Sequence, residues 1–193
     1  MIKQVACLAV LALVGCSTTR NGAYRPKSGN EKEAYARAWL DVSPDDVRKD
    51  FQSLYQTEVA WAGIIKEIEF RESEREVSVA FLVEHRNFDW KDHGGGRSYQ
   101  LEAEGEGVFA VGWKVEKPTS ISYLKSLADA GDMLVAYGRP VRIRKGTIQL
   151  SATAVRPISA DDYSIAGAEP MAELPEEPVA EPQEKSEADA PSE

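Results

Sequence analysis

Apolar side chains recur at every second position through much of residues 58–155, which is the period of β-strands that bury one face. Polar or glycine-containing breaks divide this stretch into separate segments. We predict strands over residues 58–69, 76–85, 133–141 and 147–155, with the last two joined near Lys145 and Gly146. Residues 99–101 and 108–115 flank an acidic break, so we interpret them as one interrupted strand or as a hairpin.

Two helices are indicated by capping residues followed by an apolar stripe of helical period. Ser43 and Pro44, followed by two acidic residues, begin a short helix over about residues 44–55. Thr119 caps the second helix, and Gly131 stands at its C-terminal cap position. The side chains expected to face inward from the second helix are Ile121, Leu124 and Leu127.

The predicted order is therefore three strands, a helix and two strands, after a short N-terminal helix. This is the element order of an OB-fold, a small five-stranded barrel with one helix between its third and fourth strands. Gly63 and Gly138 interrupt apolar strands and fit the bends that such a barrel needs. We expect a mostly β fold of this kind, while the order alone leaves another small barrel or a sandwich open.

The N-terminus carries the pattern of a secretory signal. Lys3 precedes an apolar run over residues 5–14, which is too short to span a bilayer because a stable span takes about 20 residues. The run ends in Leu13-Val14-Gly15-Cys16, which resembles the lipobox of bacterial lipoproteins. The alternative is an ordinary signal peptide that contains a chance cysteine.

The lipobox resemblance implies that Cys16 becomes the mature N-terminus and carries a diacylglycerol and an N-acyl chain. These covalent lipids are the only prosthetic groups we expect, and outer-membrane lipid is then a partner through the acyl chains. Ser17 stands where an Asp marks inner-membrane retention in enteric-type bacteria, so the resemblance favours the outer membrane, facing the periplasm. The inner membrane stays open for an organism with other sorting rules.

Charge and composition indicate how the chain is divided into a signal, a tether, a barrel and a tail. We predict a signal peptide over residues 1–15, a lipidated N-terminus and tether over 16–43, the barrel over 44–160, and a disordered Pro/Glu/Ala tail over 161–193. The net charge is −9, and residues 169–193 contribute −8 of it, so the barrel is near neutral. Removal of Cys7 with the signal and acylation of Cys16 leave no free thiol for a disulfide or redox site.

Two further stretches carry a family resemblance. Val59-Ala60-Trp61-Ala62-Gly63-Ile64-Ile65, and the later passage from Ser122-Tyr123-Leu124 to Val135-Ala136-Tyr137-Gly138, resemble the Slp-type outer-membrane lipoproteins, often described as starvation-inducible. Ala62 replaces the first glycine of the usual pair, and the central loops match poorly. The resemblance covers residues 50–150 by architecture and implies no catalytic residue.

The remaining candidate chemistry is sparse. His85 and His93, with Asp89 and Asp92 between them, are interpreted as surface residues near a loop, because a metal site needs three or four converging ligands. The glycines before Arg97 lead into a strand and not a helix, which argues against a phosphate cradle. No Gly-x-Ser-x-Gly motif is present, and we expect neither a metal cofactor nor enzymatic activity.

The final hairpin is basic, because residues 133–160 contain no acidic side chain. Arg142 and Arg144 share a face opposite Val141 and Ile143 on a regular strand. The hairpin is either a solvated, charged strand edge or an anion-binding strip, with the acidic tail as a competing occupant. The candidate anion- or partner-binding residues are Arg139, Arg142, Arg144, Lys145 and Arg156.

We therefore predict a membrane-anchored outer-membrane lipoprotein with a non-catalytic structural or interaction role in the cell envelope, related to stress or starvation. The alternative is an OB-fold module that binds an anionic envelope glycan or partner protein, with Trp90 and Trp113 as candidates for sugar stacking. Nucleic acid is excluded in this prediction, because of the compartment and the near-neutral barrel. An open, basic groove on the barrel would favour ligand binding, and a filled surface would favour a scaffold.

Overall fold

A computed structural model describes residues 23–91 and 99–167. The helices are α1 (Gly29–Arg37), α2 (Pro44–Lys49), α3 (Phe51–Leu54) and α4 (Ile121–Lys125), with a 3₁₀ turn at Ala160–Asp162. The strands are β1 (Val59–Glu72), β2 (Glu76–His85), β3 (Tyr99–Leu101), β4 (Val108–Glu116), β5 (Met133–Arg144), β6 (Thr147–Ile158) and β7 (Tyr163–Ile165). Within these two ranges, no helix has the length and apolarity required to cross a membrane.

Five strands close into a barrel in the order β1-β2-β4-β6-β5, with β5 returning to β1. All neighbouring pairs are antiparallel except β4 and β6, which run parallel. Helix α4 connects β4 to β5. This closed topology is an OB-fold, so the predicted fold class is confirmed and an open two-sheet sandwich is excluded.

The barrel closes around alternating inward side chains. Val77, Val79, Phe81 and Val83 of β2 lie beside Phe109 and Val111 of the neighbouring strand β4. The core that they form also contains Trp61, Leu134 and Leu150. The two predicted glycines stand where neighbouring backbones approach closely. A Cβ on Gly63 would lie 2.2 Å from the Glu84 carbonyl oxygen, and one on Gly138 would lie 2.3 Å from that of Ser151. Only glycine permits these close backbone crossings.

The short strand β3 is not part of the barrel, contrary to the predicted continuation or hairpin with residues 108–115. It pairs in parallel with β7, whose three residues are too few to show a sequence period. The intervening chain folds back on β2: His85 N–H donates to the Gly107 carbonyl oxygen, and Gly105 lies against the His85 backbone too closely for a Cβ.

The helices also differ from their predicted bounds. The expected helix over residues 44–55 is broken at Asp50, which has φ −136° and ψ 64° and whose side chain caps α3. Ser43 caps α2 as predicted. In α4 the cap is Ser120 and not Thr119, and Gly131, with φ +97°, lies in the turn before β5. Leu127 lies beyond α4 and is exposed.

The N-terminal segment is packed on the barrel from Tyr24 onward, so the tether predicted over residues 16–43 is wrong for that part. Tyr24 is buried, and α1 lies over a second apolar cluster on the outside of the barrel. This cluster includes Phe88, Trp90, Leu101, Tyr137 and Ile158. The sequence pattern does not reveal this packing, because the segment contributes single aromatic side chains and not a periodic stripe. The disordered tail predicted over residues 161–193 is wrong for residues 161–167, because this stretch contains part of the 3₁₀ turn and β7, which pairs with β3. The lipobox, residues 17–22 and the rest of the tail lie outside the described residues.

Candidate ligand-binding groove

A groove crosses the outer face of the barrel over β2, β4 and β6. Its volume is about 390 Å³, within the range of about 300–1,000 Å³ typical of ligand sites. The floor consists of small outward-facing residues, because Ala80 pairs with Gly112, and Gly112 pairs with Ser151. Ser78 and Ala110 extend this floor along the same two strands. The alternation that buries Val79 and Val111 thus leaves a shallow channel on the opposite face.

One wall of the groove carries exposed ion pairs. Arg71 of β1 lies opposite Ser78, and Ser78 lies opposite Lys114. The Arg71 guanidinium is 3.0 Å from Glu69, and the Lys114 ammonium is 2.7 Å from Glu76. Solvent screens pairs of this kind, so both cations remain accessible to a ligand.

The other wall is the β5–β6 hairpin, where a bulge between Pro140 and Arg142 changes the predicted facing of side chains. Val141 is 45 % exposed and lines the groove, although strict alternation would have turned it away from Arg142. Arg142 donates two hydrogen bonds to Gln149 Oε1, at 3.0 Å from Nε and 2.6 Å from Nη2. The guanidinium is thereby held beside the groove.

Three cations of this hairpin have no ion-pair partner in the described part of the chain. No carboxylate there lies within 4 Å of Arg142, Arg144 or Lys145. Lys145 and Gly146 form the tight turn, with φ of 49° and 80°. The hairpin tip therefore carries positive charge that no carboxylate of the described residues neutralises.

Arg139 has a different environment from these three cations. It lies 3.9 Å from the buried carboxylate of Glu58, which also accepts hydrogen bonds from Arg37 and Thr153. Burial alone would raise the pKa of Glu58, but the hydrogen bonds from Arg37 and Thr153 and the nearby charges lower it. Arg139 thus contributes to holding this carboxylate charged.

Arg156 does not belong to the predicted basic strip, because its side chain is buried in the outer cluster. It is 8 % exposed, and its Nη1 donates to the Arg25 carbonyl oxygen at 3.1 Å. Its Nη2 donates to the Tyr99 hydroxyl at 2.5 Å, and its guanidinium lies 5.2 Å from the ring centres of Tyr24 and Tyr99. The alternation of β6 could have predicted this burial, because Arg156 lies on the same face of the strand as the buried Ala154 and Ile158.

Glu31 of α1 is the carboxylate of this buried network. It lies 3.6 Å from Arg156 and accepts hydrogen bonds from the Tyr24 hydroxyl and, at 2.6 Å, from the Lys27 N–H. Burial and the bond to Glu31 raise the pKa of Tyr24 well above its usual value. The network fastens the N-terminal segment to the barrel, which is a structural role.

His85 is buried, so the predicted surface location is wrong. Its Nδ1 accepts a hydrogen bond from the Glu106 N–H at 3.1 Å, and burial lowers its pKa to about 4. His93 and Asp92 lie outside the described residues. Residues 23–91 and 99–167 contain no group of three or more His, Cys, Asp or Glu side chains placed to hold a metal ion.

The two candidate stacking tryptophans also have defined positions. Trp90 is buried in the outer cluster, where its ring contacts Tyr24 and Phe88. Trp113 is half-buried, packs against the barrel core and borders the groove. Of the two, Trp113 is therefore the one that lines this groove.

Comparison with solved structures finds several chains similar to this one. The second single-stranded DNA-binding protein (SSBb) of Mycobacterium smegmatis is 16 % identical. The match covers 53 % of this chain and 89 % of the SSBb chain, with a TM-score of 0.35. A small single-stranded DNA-binding protein from Streptomyces coelicolor is 20 % identical over 55 % and 95 %, also at 0.35. An OBody bound to hen egg-white lysozyme is 14 % identical over 62 % and 94 %, at 0.32. No family model and no curated protein matches the chain.

These neighbours correct one prediction. Two of them are single-stranded DNA-binding proteins, so the exclusion of nucleic acid as a partner is contradicted and is withdrawn. At these identities the likeness concerns the fold, and it assigns no ligand to this chain. The class that the topology defines is an OB-fold module with an open outer groove.

Proposed function

We propose that this protein is a lipid-anchored, non-catalytic binding protein of the bacterial outer membrane, whose OB-fold groove holds an anionic envelope glycan. The observation that carries the proposal is an open groove with a floor of small residues beside Arg142, which, like Arg144 and Lys145 of the same hairpin, has no ion-pair partner among the described residues. The sequence leaves two roles, a structural scaffold and a ligand-binding module. An open groove favours the ligand-binding role, because a scaffold would present a filled surface.

The anchor is supported by the lipobox resemblance at Leu13-Val14-Gly15-Cys16. Each buried acyl CH₂ contributes about 0.8 kcal/mol, so the three chains implied for Cys16 would hold the protein at the membrane stably. The resemblance to the Slp-type lipoproteins supports a role in envelope maintenance under stress or starvation.

The ligand class is supported by shape and charge. A floor of Ala80, Gly112 and Ser151 admits a broad, extended chain, because no bulky side chain rises from it. Arg142 presents donors at the edge of that floor and is already oriented by Gln149. Arginine binds carboxylate and phosphate groups in a bidentate manner, which suits an acidic polymer.

The anchor is tested by metabolic labelling with a palmitate analogue and by membrane flotation. We expect the wild-type protein to be labelled and to float with membranes, and Cys16→Ser to lose both properties. A wild-type protein that carries no lipid would contradict the anchor.

The groove is tested by fluorescence anisotropy with three labelled probes on the detergent-solubilised protein: an oligogalacturonate, a neutral dextran of equal length and a single-stranded oligo-dT. We expect the acidic glycan to bind, and Arg142→Glu to weaken it by about tenfold, equal to about 1.4 kcal/mol. Lys32→Glu on the exposed face of α1 is the matched control and should bind as the wild type does. Tighter binding of oligo-dT than of the glycan would identify nucleic acid as the ligand class instead. Equal weakening by Arg142→Glu and Lys32→Glu would contradict the groove as the binding surface.

A further inference from the structure

The edge of β1 that faces away from β5 is paired on both sides of a short gap. The Trp39 N–H donates to the Glu58 carbonyl oxygen at 2.8 Å, and the Ala60 N–H donates to the Trp39 carbonyl oxygen at 3.3 Å, so Trp39 forms a parallel bridge to the strand. Further along, the Arg86 N–H donates to the Ala62 carbonyl oxygen at 3.0 Å. Because the N–H and C=O of one strand residue point to the same edge, the Ala60 carbonyl oxygen and the Ala62 N–H both face the gap.

These two backbone groups have no hydrogen-bond partner within the described part of the chain. A parallel ladder would continue with Asp41, but the chain bends there, and no hydrogen bond between described residues joins Asp41 to β1. The segment then leaves the strand, because the Trp61 Nε1–H donates to the Val42 carbonyl oxygen at 2.8 Å and Ser43 caps α2. Both alanines are at most 2 % exposed, and a buried backbone group without a partner is unfavourable. A ligand that meets both groups would therefore be stabilised here.

A cleft of about 190 Å³ opens on this gap. Ala60 and Ala62 line it, and Leu40, Phe88 and Trp90 give it an apolar wall. Its volume is well above the roughly 15 Å³ that one water molecule needs, and below the about 300 Å³ at which sites for drug-sized ligands begin. This edge cleft, defined by the two alanines and the apolar wall, therefore has room for a small molecule and not for a polymer.

Charges of both signs border the edge cleft. Asp41 lines it, is exposed, and has no ion-pair partner among the described residues. Arg86 lines the side next to Ala62, where its guanidinium lies 2.7 Å from Glu84. Glu84 also pairs with Lys66 at 2.8 Å, so two cations share one carboxylate and positive charge is left over. These surroundings match a ligand that carries one charge of each sign.

His85 adds a hydrogen-bond donor on the Arg86 side. It lines the cleft, is 6 % exposed and lies opposite Gly63 in the pairing of β1 with β2. Burial lowers the pKa of its ring to about 4, so the ring is neutral at neutral pH. Its Nδ1 accepts from the Glu106 N–H at 3.1 Å, which leaves the hydrogen on Nε2. None of the described residues accepts a hydrogen bond from Nε2, so this donor is available to a ligand.

We propose that the edge cleft binds one free α-amino acid with an apolar side chain. Its ammonium group donates to the Ala60 carbonyl oxygen, and its carboxylate accepts from the Ala62 N–H. Trp39 makes the same two kinds of contact one step earlier, with Glu58 and Ala60, so the ligand continues the ladder that Asp41 leaves. The inference goes beyond the proposed function, because it needs neither the lipid anchor nor the outer groove.

Two related ligand classes fit the gap less well. An extended peptide would need the neighbouring positions on the strand edge, which Trp39 and Arg86 already occupy. A single secondary amide, such as the acetamido group of an amino sugar, holds its N–H and C=O on opposite sides of a planar trans bond, so it can meet only one of the two groups. An α-amino acid carries its donor and its acceptor on one carbon, as a strand residue does.

The experiment is an NMR titration of the isotope-labelled full chain, solubilised in detergent, with L-leucine as the probe. The comparison compounds are isocaproate, which lacks the ammonium group, isoamylamine, which lacks the carboxylate, and N-acetylglucosamine. We expect L-leucine to move the Ala62 N–H resonance downfield until it saturates. Isocaproate and isoamylamine should each bind about tenfold more weakly, because a charge-assisted hydrogen bond is lost, and N-acetylglucosamine should leave the resonance unmoved.

A pair of variants tests the charge in the cleft. Asp41→Asn removes the carboxylate that lies beside the ammonium group and should weaken L-leucine binding by about threefold, since an exposed ion pair contributes modestly. Glu74→Gln is the matched control, because Glu74 is an exposed carboxylate in the turn between β1 and β2, away from the cleft. It should bind L-leucine as the wild type does.

An Ala62 resonance that L-leucine leaves unmoved, or equal weakening by the two variants, would overturn the proposal. Equal binding of L-leucine, isocaproate and isoamylamine would also overturn it, because the gap would then play no part. A larger shift with N-acetylglucosamine would assign the cleft to an amino sugar instead, and movement of Gly112 and Trp113 in place of Ala62 would assign L-leucine to the outer groove. The glycan titrations report the outer groove separately, so the proposed function can fail or hold independently of this result.

Discussion

Replacement of Arg156 by methionine tests whether this residue fastens the N-terminal segment or belongs to the basic surface. Methionine keeps much of the side-chain volume and removes the charge. The change leaves the Glu31 carboxylate, 3 % exposed, without its cation 3.6 Å away, and it removes hydrogen bonds to the Arg25 carbonyl and the Tyr99 hydroxyl. The barrel and α1 would then share an uncompensated buried charge.

The expected loss of stability follows from these contacts. Breaking a buried ion pair on one side costs about 3–5 kcal/mol. Glu31 keeps its bonds from the Tyr24 hydroxyl and the Lys27 N–H, so the loss should lie at the low end, about 3 kcal/mol. Arg142→Met is the matched control, because Arg142 is exposed, and it should change the free energy of unfolding by less than about 0.5 kcal/mol.

The assay is urea unfolding of the Cys16→Ser chain, followed by tryptophan fluorescence and circular dichroism. The double variant Glu31→Gln, Arg156→Met should lose less than the sum of the two single changes, with a coupling of about 1–3 kcal/mol. Hydrogen exchange of α1 should accelerate in Arg156→Met before that of the barrel. Equal, small effects of Arg156→Met and Arg142→Met would refute the assignment of Arg156 to the buried network.

Three further predictions concern the fold and the tail. Gly138→Ala should destabilise the barrel by several kcal/mol in urea unfolding, because the new Cβ would lie 2.3 Å from a neighbouring carbonyl oxygen. Gly112→Ala is the control and should be near neutral, because the nearest atom to its Cβ is 3.8 Å away. Equal effects of the two changes would contradict the close backbone approach at Gly138. Burial lowers the pKa of His85 from 6.5 to about 4, so the unfolded chain binds the extra proton and stability should fall by about 3 kcal/mol as pH drops from about 6.5 to 4. His85→Asn, which keeps an acceptor for the Glu106 N–H, should flatten that part of the pH profile, and an unchanged profile would exclude His85 as its cause. Deletion of residues 169–193, with a net charge of −8, should tighten acidic-glycan binding at low salt and less so at high salt, and unchanged binding would remove the tail as a competitor.

The barrel could be predicted because its strands are long and half-buried. Residues 76–85 alternate strictly enough that the predicted and observed bounds of β2 agree. Gly63 and Gly138 marked two close backbone approaches, because a glycine inside an apolar strand often stands at such a place. The parallel pairing of β4 and β6 then follows from the OB-fold topology.

The N-terminal packing could not be predicted in the same way. Tyr24 and Tyr35 are separate aromatic residues in a polar stretch, and their partners Trp90 and Tyr137 are distant in sequence. A period requires repeated contacts along one element, and this cluster is assembled from single residues of several elements. The three-residue strands β3 and β7 are too short to show a period for the same reason.

The candidate site was predicted in part. The basic hairpin could be recognised from composition, because it lacks acids, but the burial of Arg156 and the bulge at Val141 depend on register. The groove floor gave no signal, since Ala80, Gly112 and Ser151 carry no distinctive chemistry and become a surface only when their strands pair.

The central claim, that the outer groove is the binding surface, is tested most directly by filling it. Gly112 faces the groove, and the nearest atom to a Cβ built on it is 3.8 Å away, so Gly112→Leu should fold normally while its side chain occupies the floor. We expect anisotropy titrations with the oligogalacturonate to show at least a tenfold loss of affinity for Gly112→Leu, with an unchanged urea midpoint. Wild-type affinity in a stably folded Gly112→Leu protein would contradict the account.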